Sequence, residues 1–155
     1  MNHQVLIGEL RSAQQFFNKS SACLREEDSQ FAPAEGMMTV AQQVAHVAFT
    51  VDWFVEGAFR PEGFDMNFEE HIRQLQAVTS LAEARAMVAA SFERAVKTIE
   101  SKSAEELAAP LPEGPVMGGL PKGAICGGIS DHTAHHRGAL TVYARLCGHV
   151  PEMPY

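Results

Sequence analysis

Apolar side chains recur at three- and four-residue steps along most of the chain, and charged side chains occupy the opposite faces. This spacing is typical of amphipathic helices that bury one face. It predicts four long helices, which span Gln4–Glu26, Thr39 to about Ala58, Ser80–Ser101, and Ile125 or Ser130 to Cys147. Short alternating runs of β-branched residues are almost absent, so the pattern predicts an all-α protein.

Capping residues mark the ends of these helices. Thr39 and Ser80 are each followed three residues later by Gln or Glu, which is the spacing of a capping box at a helix start. Gly148 suits the end of the last helix, because glycine tolerates the left-handed backbone that often follows a helix.

Two further segments separate the long helices. A short helix is predicted between Asn67 and Val78, with Phe68, Ile72 and Leu75 facing inward. Between Leu107 and Gly128, prolines and glycines are too dense for a regular helix through the first half of the segment. Apolar residues within this loop indicate that it packs, and we expect it to form the rim of a pocket.

Four helices of this length predict a four-helix bundle with a long Pro/Gly-rich loop before the last helix. The chain has 155 residues, of which 46% are hydrophobic and 20% charged. These are ordinary values for one globular domain, so we expect residues 1–155 to form a single helical-bundle domain.

Charge and cysteine content narrow the setting. The net charge of -7 would repel a phosphate backbone, and no basic patch offsets it, so nucleic acid is not an expected partner. The longest uncharged stretch, Gly36–Val51, contains polar residues, so no membrane-spanning helix is expected. A signal peptide is not apparent, and Cys23, Cys126 and Cys147 are an odd, widely spaced set. We therefore expect a cytoplasmic protein with buried, reduced thiols.

Histidines supply the candidate chemistry. His132 and His136 share the buried face of the last helix with Ile129 and Leu140. At this i, i+4 spacing two imidazoles lie on successive turns and can bind one divalent ion. On the second helix, His46 can face the bundle interior off-centre. Three neutral imidazoles from facing helices would leave coordination positions open, which is typical of a catalytic metal site.

The alternative is that these histidines are hydrogen-bonded core residues, which is the usual role of a single buried histidine. Burying two imidazoles without partners costs a few kcal/mol, which favours a metal or catalytic role for the pair. His3, His71 and His149 are expected to be exposed and receive no role.

Four side chains near these histidines are additional pocket candidates: Thr50, Trp53, His135 and Arg137. Trp53 can line a pocket as well as the core, and His135 lies at the edge of the histidine face. No side chain stands out as a general base, so the catalytic residues remain unknown. Motifs of glycosidases, α/β-hydrolases and P-loop proteins are missing.

Two short motifs resemble the DinB-like (DinB/YfiT) family of four-helix-bundle proteins. Met37–Val47 resembles the start of that family's second helix, and Asp131–Gly138, which contains HxxxHRG, resembles its last helix. The resemblance implies a divalent metal ion, most often nickel or zinc, bound by His46, His132 and His136. It also implies a homodimer.

Known relatives in this family include metal-dependent thiol S-transferases and a mycothiol-dependent maleylpyruvate isomerase. We therefore expect an up-down-down-up bundle that uses a divalent ion to activate a thiol or water toward a small molecule, as a thiol S-transferase or hydrolase. A low-molecular-weight thiol would be the cofactor, and the loop Pro110–Lys122 would cover the site. The alternative is a non-catalytic metal-binding or stress-associated dimeric interaction module.

Overall fold

The computed structural model describes residues 2–155. Its helices are α1 (His3–Ser21), α2 (Val40–Phe59), α3 (Phe68–Gln76), α4 (Leu81–Ser101), α5 (Ala104–Ala108) and α6 (Ile125–Leu146). Within the described residues the structure adds two 3-10 turns and an isolated bridge but contains no β-strand, which confirms the all-α prediction. Across the same residues, no helix combines the length and apolarity needed to span a bilayer.

The four long helices form a bundle in which α1 and α2 each lie beside both α4 and α6. His3, at the start of α1, donates to the carbonyl of Lys102 after the end of α4, so these two helices are antiparallel. Tyr143, near the end of α6, donates to the carbonyl of Met38 just before α2, so this pair is antiparallel too. The middle of α1 contacts the middle of α6, with Arg137 over the ring of Phe16, and these two helices are parallel. The directions of α1, α2, α4 and α6 are therefore up, down, down and up.

A continuous apolar core fills the interior of the bundle. Leu10, Phe17 and Phe92 are almost fully buried within it. Burial of each such side chain contributes about 1.5–3 kcal/mol to the free energy of folding. The buried positions of α6 include Ile129, His136 and Leu140 of the predicted inner face, but His132 is only half-buried and the adjacent Thr133 is buried instead.

Side-chain caps begin the helices where the sequence predicts them. The hydroxyl of Thr39 accepts from the backbone of Gln42, whose side chain bonds back to Thr39. The hydroxyl of Ser80 accepts from the backbone N–H of Glu83 at the start of α4. The short α5 was not predicted, although Ser103 and Glu106 form a full capping box with the same spacing.

The first helix is shorter than predicted and ends at Ser21 rather than near Glu26. The Ser21 hydroxyl bonds back to the carbonyl of Phe17, and the Arg25 backbone N–H donates to the carboxylate of Asp28. Such local side-chain bonds compete with helical hydrogen bonds, and here they end α1 and close a separate 3-10 turn.

The inward face of α3 also differs from the prediction. Leu75 is buried, but Phe68 and Ile72 remain 50% and 54% exposed. These two side chains line a surface pocket instead of the core. The amphipathic spacing is real, but its apolar face is shared between the core and a cavity.

The Pro/Gly-rich loop packs against the bundle. Its two ends are held together by backbone hydrogen bonds from Leu111 to the carbonyl of Leu120 and from Lys122 to the carbonyl of Ala109. Its Met117 reaches the second turn of α6 at Gly128. A Cβ atom at position 128 would lie 3.1 Å from the ring of Phe54 and 3.3 Å from the sulfur of Met117. Glycine therefore allows α2, the loop and α6 to approach one another closely at this point.

Candidate metal centre

The side chains of His46, His132 and His136 converge between α2 and α6. Nε2 of His132 lies 3.3 Å from Nε2 of His46 and 3.2 Å from Nε2 of His136. One nitrogen from each ring lies within 4.8 Å of the other two. Imidazole ligands at about 2.0–2.1 Å from a tetrahedral ion lie about 3.3 Å apart, so this donor set fits one divalent metal ion.

Helix geometry brings these rings together. His132 and His136 are one turn apart on α6, and their ring centroids are 4.4 Å apart. His46 faces them from α2, with its ring centroid 4.8 Å from that of His136. His136 is the deepest of the three at 6% exposure, whereas the other two border a cavity.

A chain of hydrogen bonds orients the ring of His136. Its Nδ1 lies 2.5 Å from Oε1 of Gln43, whose Nε2 donates to the hydroxyl of Tyr143. That hydroxyl donates to the carbonyl of Met38. Since the Gln43 oxygen can only accept, His136 carries its proton on Nδ1 and directs an unprotonated Nε2 toward the other imidazoles. This is how metal-binding histidines are usually held.

The sequence analysis did not assign this role to Gln43 or Tyr143. Gln43 precedes His46 by three residues and Tyr143 follows His136 by seven. Each therefore lies near the same helix face as its histidine, and this spacing is the signal that points to them.

The environment keeps the three imidazoles neutral. Burial, together with smaller contributions from the neighbouring imidazoles, lowers the pKa of His132 to about 4 and the pKa of His136 to about 3. Burial also lowers the pKa of His46, with a smaller contribution from His135. At neutral pH the rings are therefore unprotonated, which is the form that binds a metal ion.

A pocket of about 650 Å³ opens beside His46 and His132. Its walls come from α2, α3, the segment between them and α6. Most of the exposed surface of the lining is apolar. The apolar side chains are Met38, Phe49, Trp53, Phe54, Phe68, Ile72 and Leu75. The polar lining, apart from the two histidines, consists of Thr50, Asp52, Glu56, Asp65, His71 and Gln74.

The structure brings two of the four additional pocket candidates to this cavity. The Thr50 hydroxyl lies 3.5 Å from Nε2 of His132. The Trp53 indole N–H donates to the backbone carbonyl of Asp65 at 2.6 Å, which fixes the ring against the pocket.

The other two candidates lie elsewhere. His135 is exposed and touches the outer edge of the His136 ring. Arg137 lies over the ring of Phe16 and lines a separate cleft between α1 and α6. Both residues point away from the pocket because they flank His136 on α6 and so project from other faces of the helix.

Four further sequence expectations need correction. His3 is half-buried, and its ring bonds to the carbonyl of Lys102. His71 lines the pocket, with its Nε2 3.2 Å from a carboxylate oxygen of Asp65. His149 is not exposed but bonds to Asp28 in a largely buried pair. The loop Pro110–Lys122 does not cover the pocket, because α3 forms the wall opposite α2.

Fold and site together define a helical bundle with three inward histidines that can bind a metal ion. A sequence profile described as the DinB superfamily matches residues 9–140, and the chain belongs to this superfamily. The crystal structure of a DinB-like protein, YjoA, from Bacillus subtilis is similar with a TM-score of 0.69 and 18% identity. The alignment covers 97% of this chain and 96% of that chain, and it shows a shared fold. No curated protein matches the sequence.

Proposed function

We propose that this protein is a metal-dependent enzyme of the thiol S-transferase or hydrolase type. The observation that carries the proposal is that three neutral imidazole nitrogens meet at the wall of an apolar pocket of about 650 Å³. His46, His132 and His136 would hold the ion, with zinc or nickel as the expected metal. A divalent ion held by three imidazoles retains open coordination positions and, as a Lewis acid, lowers the pKa of a thiol or water.

The cysteines of the chain support an external thiol. Burial raises the pKa of Cys126 to about 12, and burial also raises the pKa of Cys147. Both thiols are therefore protonated at neutral pH and are poor nucleophiles. Cys23 lies at the end of the first helical segment, outside the pocket lining. A low-molecular-weight thiol would thus be the nucleophile.

The pocket supports a small-molecule acceptor. The apolar walls border the side of His46 and His132 that faces the cavity, so a molecule bound there would displace water and strengthen polar interactions. The Thr50 hydroxyl lies beside His132, within reach of a bound molecule. It can donate a hydrogen bond that orients the molecule toward the histidines.

We also propose that the protein is a homodimer. Large apolar side chains are exposed along the last part of α6 and the segment after it: Val142, Leu146, Val150 and Met153. Burial of this surface against a second copy would remove it from water. Light scattering coupled to gel filtration would give twice the monomer mass, and a monomer at micromolar concentration would overturn the proposal.

Metal content and thiol-transfer rates test the proposed function. Elemental analysis should find one divalent ion per chain, and His136→Ala should lose it while retaining a helical circular dichroism spectrum. Bacillithiol, mycothiol and glutathione are each incubated with 1-chloro-2,4-dinitrobenzene. A rate with all three thiols no greater than that of the variant with all three histidines replaced by alanine would overturn thiol transfer.

The burial of His136 favours a second candidate, a non-catalytic metal-binding module in which the ion stabilises the fold. Chelation separates the two. Cooperative unfolding on removal of the metal indicates a structural ion, whereas a chain that stays folded indicates a functional site.

A further inference from the structure

The pocket beside His46 and His132, called the histidine pocket below, has carboxylates and imidazoles as its ionisable groups. Among residues 2–155, its charged side chains are the carboxylates of Asp52, Glu56 and Asp65, and no lysine or arginine lines it. The pocket therefore presents negative charge, together with neutral imidazoles, around an apolar interior.

These carboxylates differ in how far they are neutralised. Asp52 accepts two hydrogen bonds from the guanidinium of Arg94, at 3.0 and 2.6 Å, so its charge is compensated. Glu56 has a looser contact of 3.5 Å with an exposed arginine. Asp65 bonds to the Asn67 backbone N–H and to His71, which hold the pKa of its carboxyl below the usual value. Asp65 thus remains ionised, and its carboxylate and that of Glu56 lack the two-bond arginine partner of Asp52, so both repel an anion at the pocket.

The apolar walls fit a ring. The Trp53 indole is fixed by its bond to the Asp65 carbonyl, and the Phe68 ring lies 6.4 Å from it at an interplanar angle of 49°. Phe68 and Ile72 are exposed, whereas Leu75 on the same helix is buried. The two exposed side chains therefore offer apolar surface that a ligand can cover. A flat apolar molecule can touch all three side chains at once.

We propose that the acceptor molecule in this pocket is a ring-containing, apolar compound that carries no carboxylate, phosphate or sulfonate group. The inference rests on the proposed function, for which it names the class of the acceptor. The walls select the ring, and the carboxylates of Glu56 and Asp65 reject anionic relatives of the same size.

Trp53 reports on this pocket directly, because it is the only tryptophan in the chain. Its fluorescence is titrated in the metal-depleted full-length protein with 4-nitrobenzyl alcohol and with 4-nitrobenzoate, corrected for absorbance. We expect saturable quenching by the alcohol and an affinity at least tenfold weaker for the carboxylate. Metal depletion confines the readout to the side chains of the pocket, and the same preference for the alcohol is expected in the zinc-loaded protein.

Charge variants test the cause of the selectivity. The double variant Glu56→Gln, Asp65→Asn should bind 4-nitrobenzoate at least fivefold more tightly and change the affinity for the alcohol less than twofold. Glu105→Gln, on α5 outside the pocket, removes an exposed negative charge and should change neither affinity.

Equal affinity for the two compounds, unchanged selectivity in the double variant, or no saturable quenching by the alcohol would each overturn the inference. A parallel zinc titration separates this result from the proposed function. Selective quenching in a protein that does not bind zinc would sustain the inference and refute the metal enzyme. Zinc binding without quenching would do the reverse.

Discussion

Two groups of histidines in this bundle differ in their partners. His149 donates to the carboxylate of Asp28 at 2.8 Å, with both side chains largely buried. The hydrogen-bond partners of the metal-site histidines are instead one another, an amide oxygen and a hydroxyl. A carboxylate orients and stabilises an imidazole by itself, whereas three imidazoles whose Nε2 atoms converge need a proton or a cation between those nitrogens. The partner, more than the burial, separates a structural histidine from a candidate ligand.

The largest expected difference between the two groups of histidines is at His136. His136→Ala removes one of three donors and the ring that the Gln43 amide holds in place. We expect the affinity for zinc to fall at least about 100-fold, measured by competition with a chromophoric chelator. His149→Ala is the matched control and should leave zinc affinity unchanged. An equal loss in both variants would mean that the two groups do not differ in role.

The orienting hydrogen bond gives a smaller effect on the same measurement. Gln43→Leu removes the acceptor for Nδ1 of His136 and leaves all three ligands in place. Zinc affinity should fall about 10–100-fold, as is usual for the loss of such a partner. Unchanged affinity would show that packing alone orients the ring.

The pH dependence of stability sharpens the contrast. The folded pKa values of His132 and His136, about 4 and 3, lie below the unfolded value of 6.5. As the pH falls below 6.5 the unfolded chain takes up protons that the folded chain does not, so stability declines from pH 6.5 toward pH 4. The Tm of metal-free protein should fall by about 5 °C between pH 7 and pH 5.

The control for this titration is the His132→Gln, His136→Gln variant, which should lose less stability over the same range. The pKa of Asp28 does not interfere. Burial acts to raise it, but hydrogen bonds from Arg25 and His149 hold it below its ordinary value of 3.8, outside this window. An equal decline in the wild type and the variant would contradict the assignment.

The smallest expected effect is at the carboxylate-bound histidine. His149→Gln weakens a charged hydrogen bond that joins the end of the chain to the first 3-10 turn. The free energy of unfolding should decrease by about 1–2 kcal/mol, measured by urea denaturation. A decrease in zinc affinity as well would show coupling between the two histidine groups.

Sequence periodicity predicts the features that are determined within a single helix, such as burial, side-chain pairing and capping. The burial of His136, the pairing of His132 with His136 and the Thr39 cap all follow from spacing within one segment. The Gln43–Tyr143 bond joins residues 100 positions apart, and its formation depends on how α2 and α6 cross. Sequence spacing places each residue on a face but does not specify the partner on the other helix.

The sequence did not predict that α3 forms a wall of the pocket, for a related reason. Phe68 and Ile72 have the spacing of a core-facing helix, and the same spacing serves a helix that borders a cavity. Likewise, the Pro/Gly content of residues 110–122 predicts an irregular loop but not its direction. Only the packing of α3 shows which segment borders the histidines.

Gly128 has a consequence for adjusting this protein. The missing side chain allows Phe54 of α2 and Met117 of the loop to approach α6 closely one turn before His132. A methyl group at this position would contact Phe54 and Met117 and would push α2 and the loop away from α6. Position 128 therefore offers a way to change the approach of α2 to α6 near the three histidines without altering any of them.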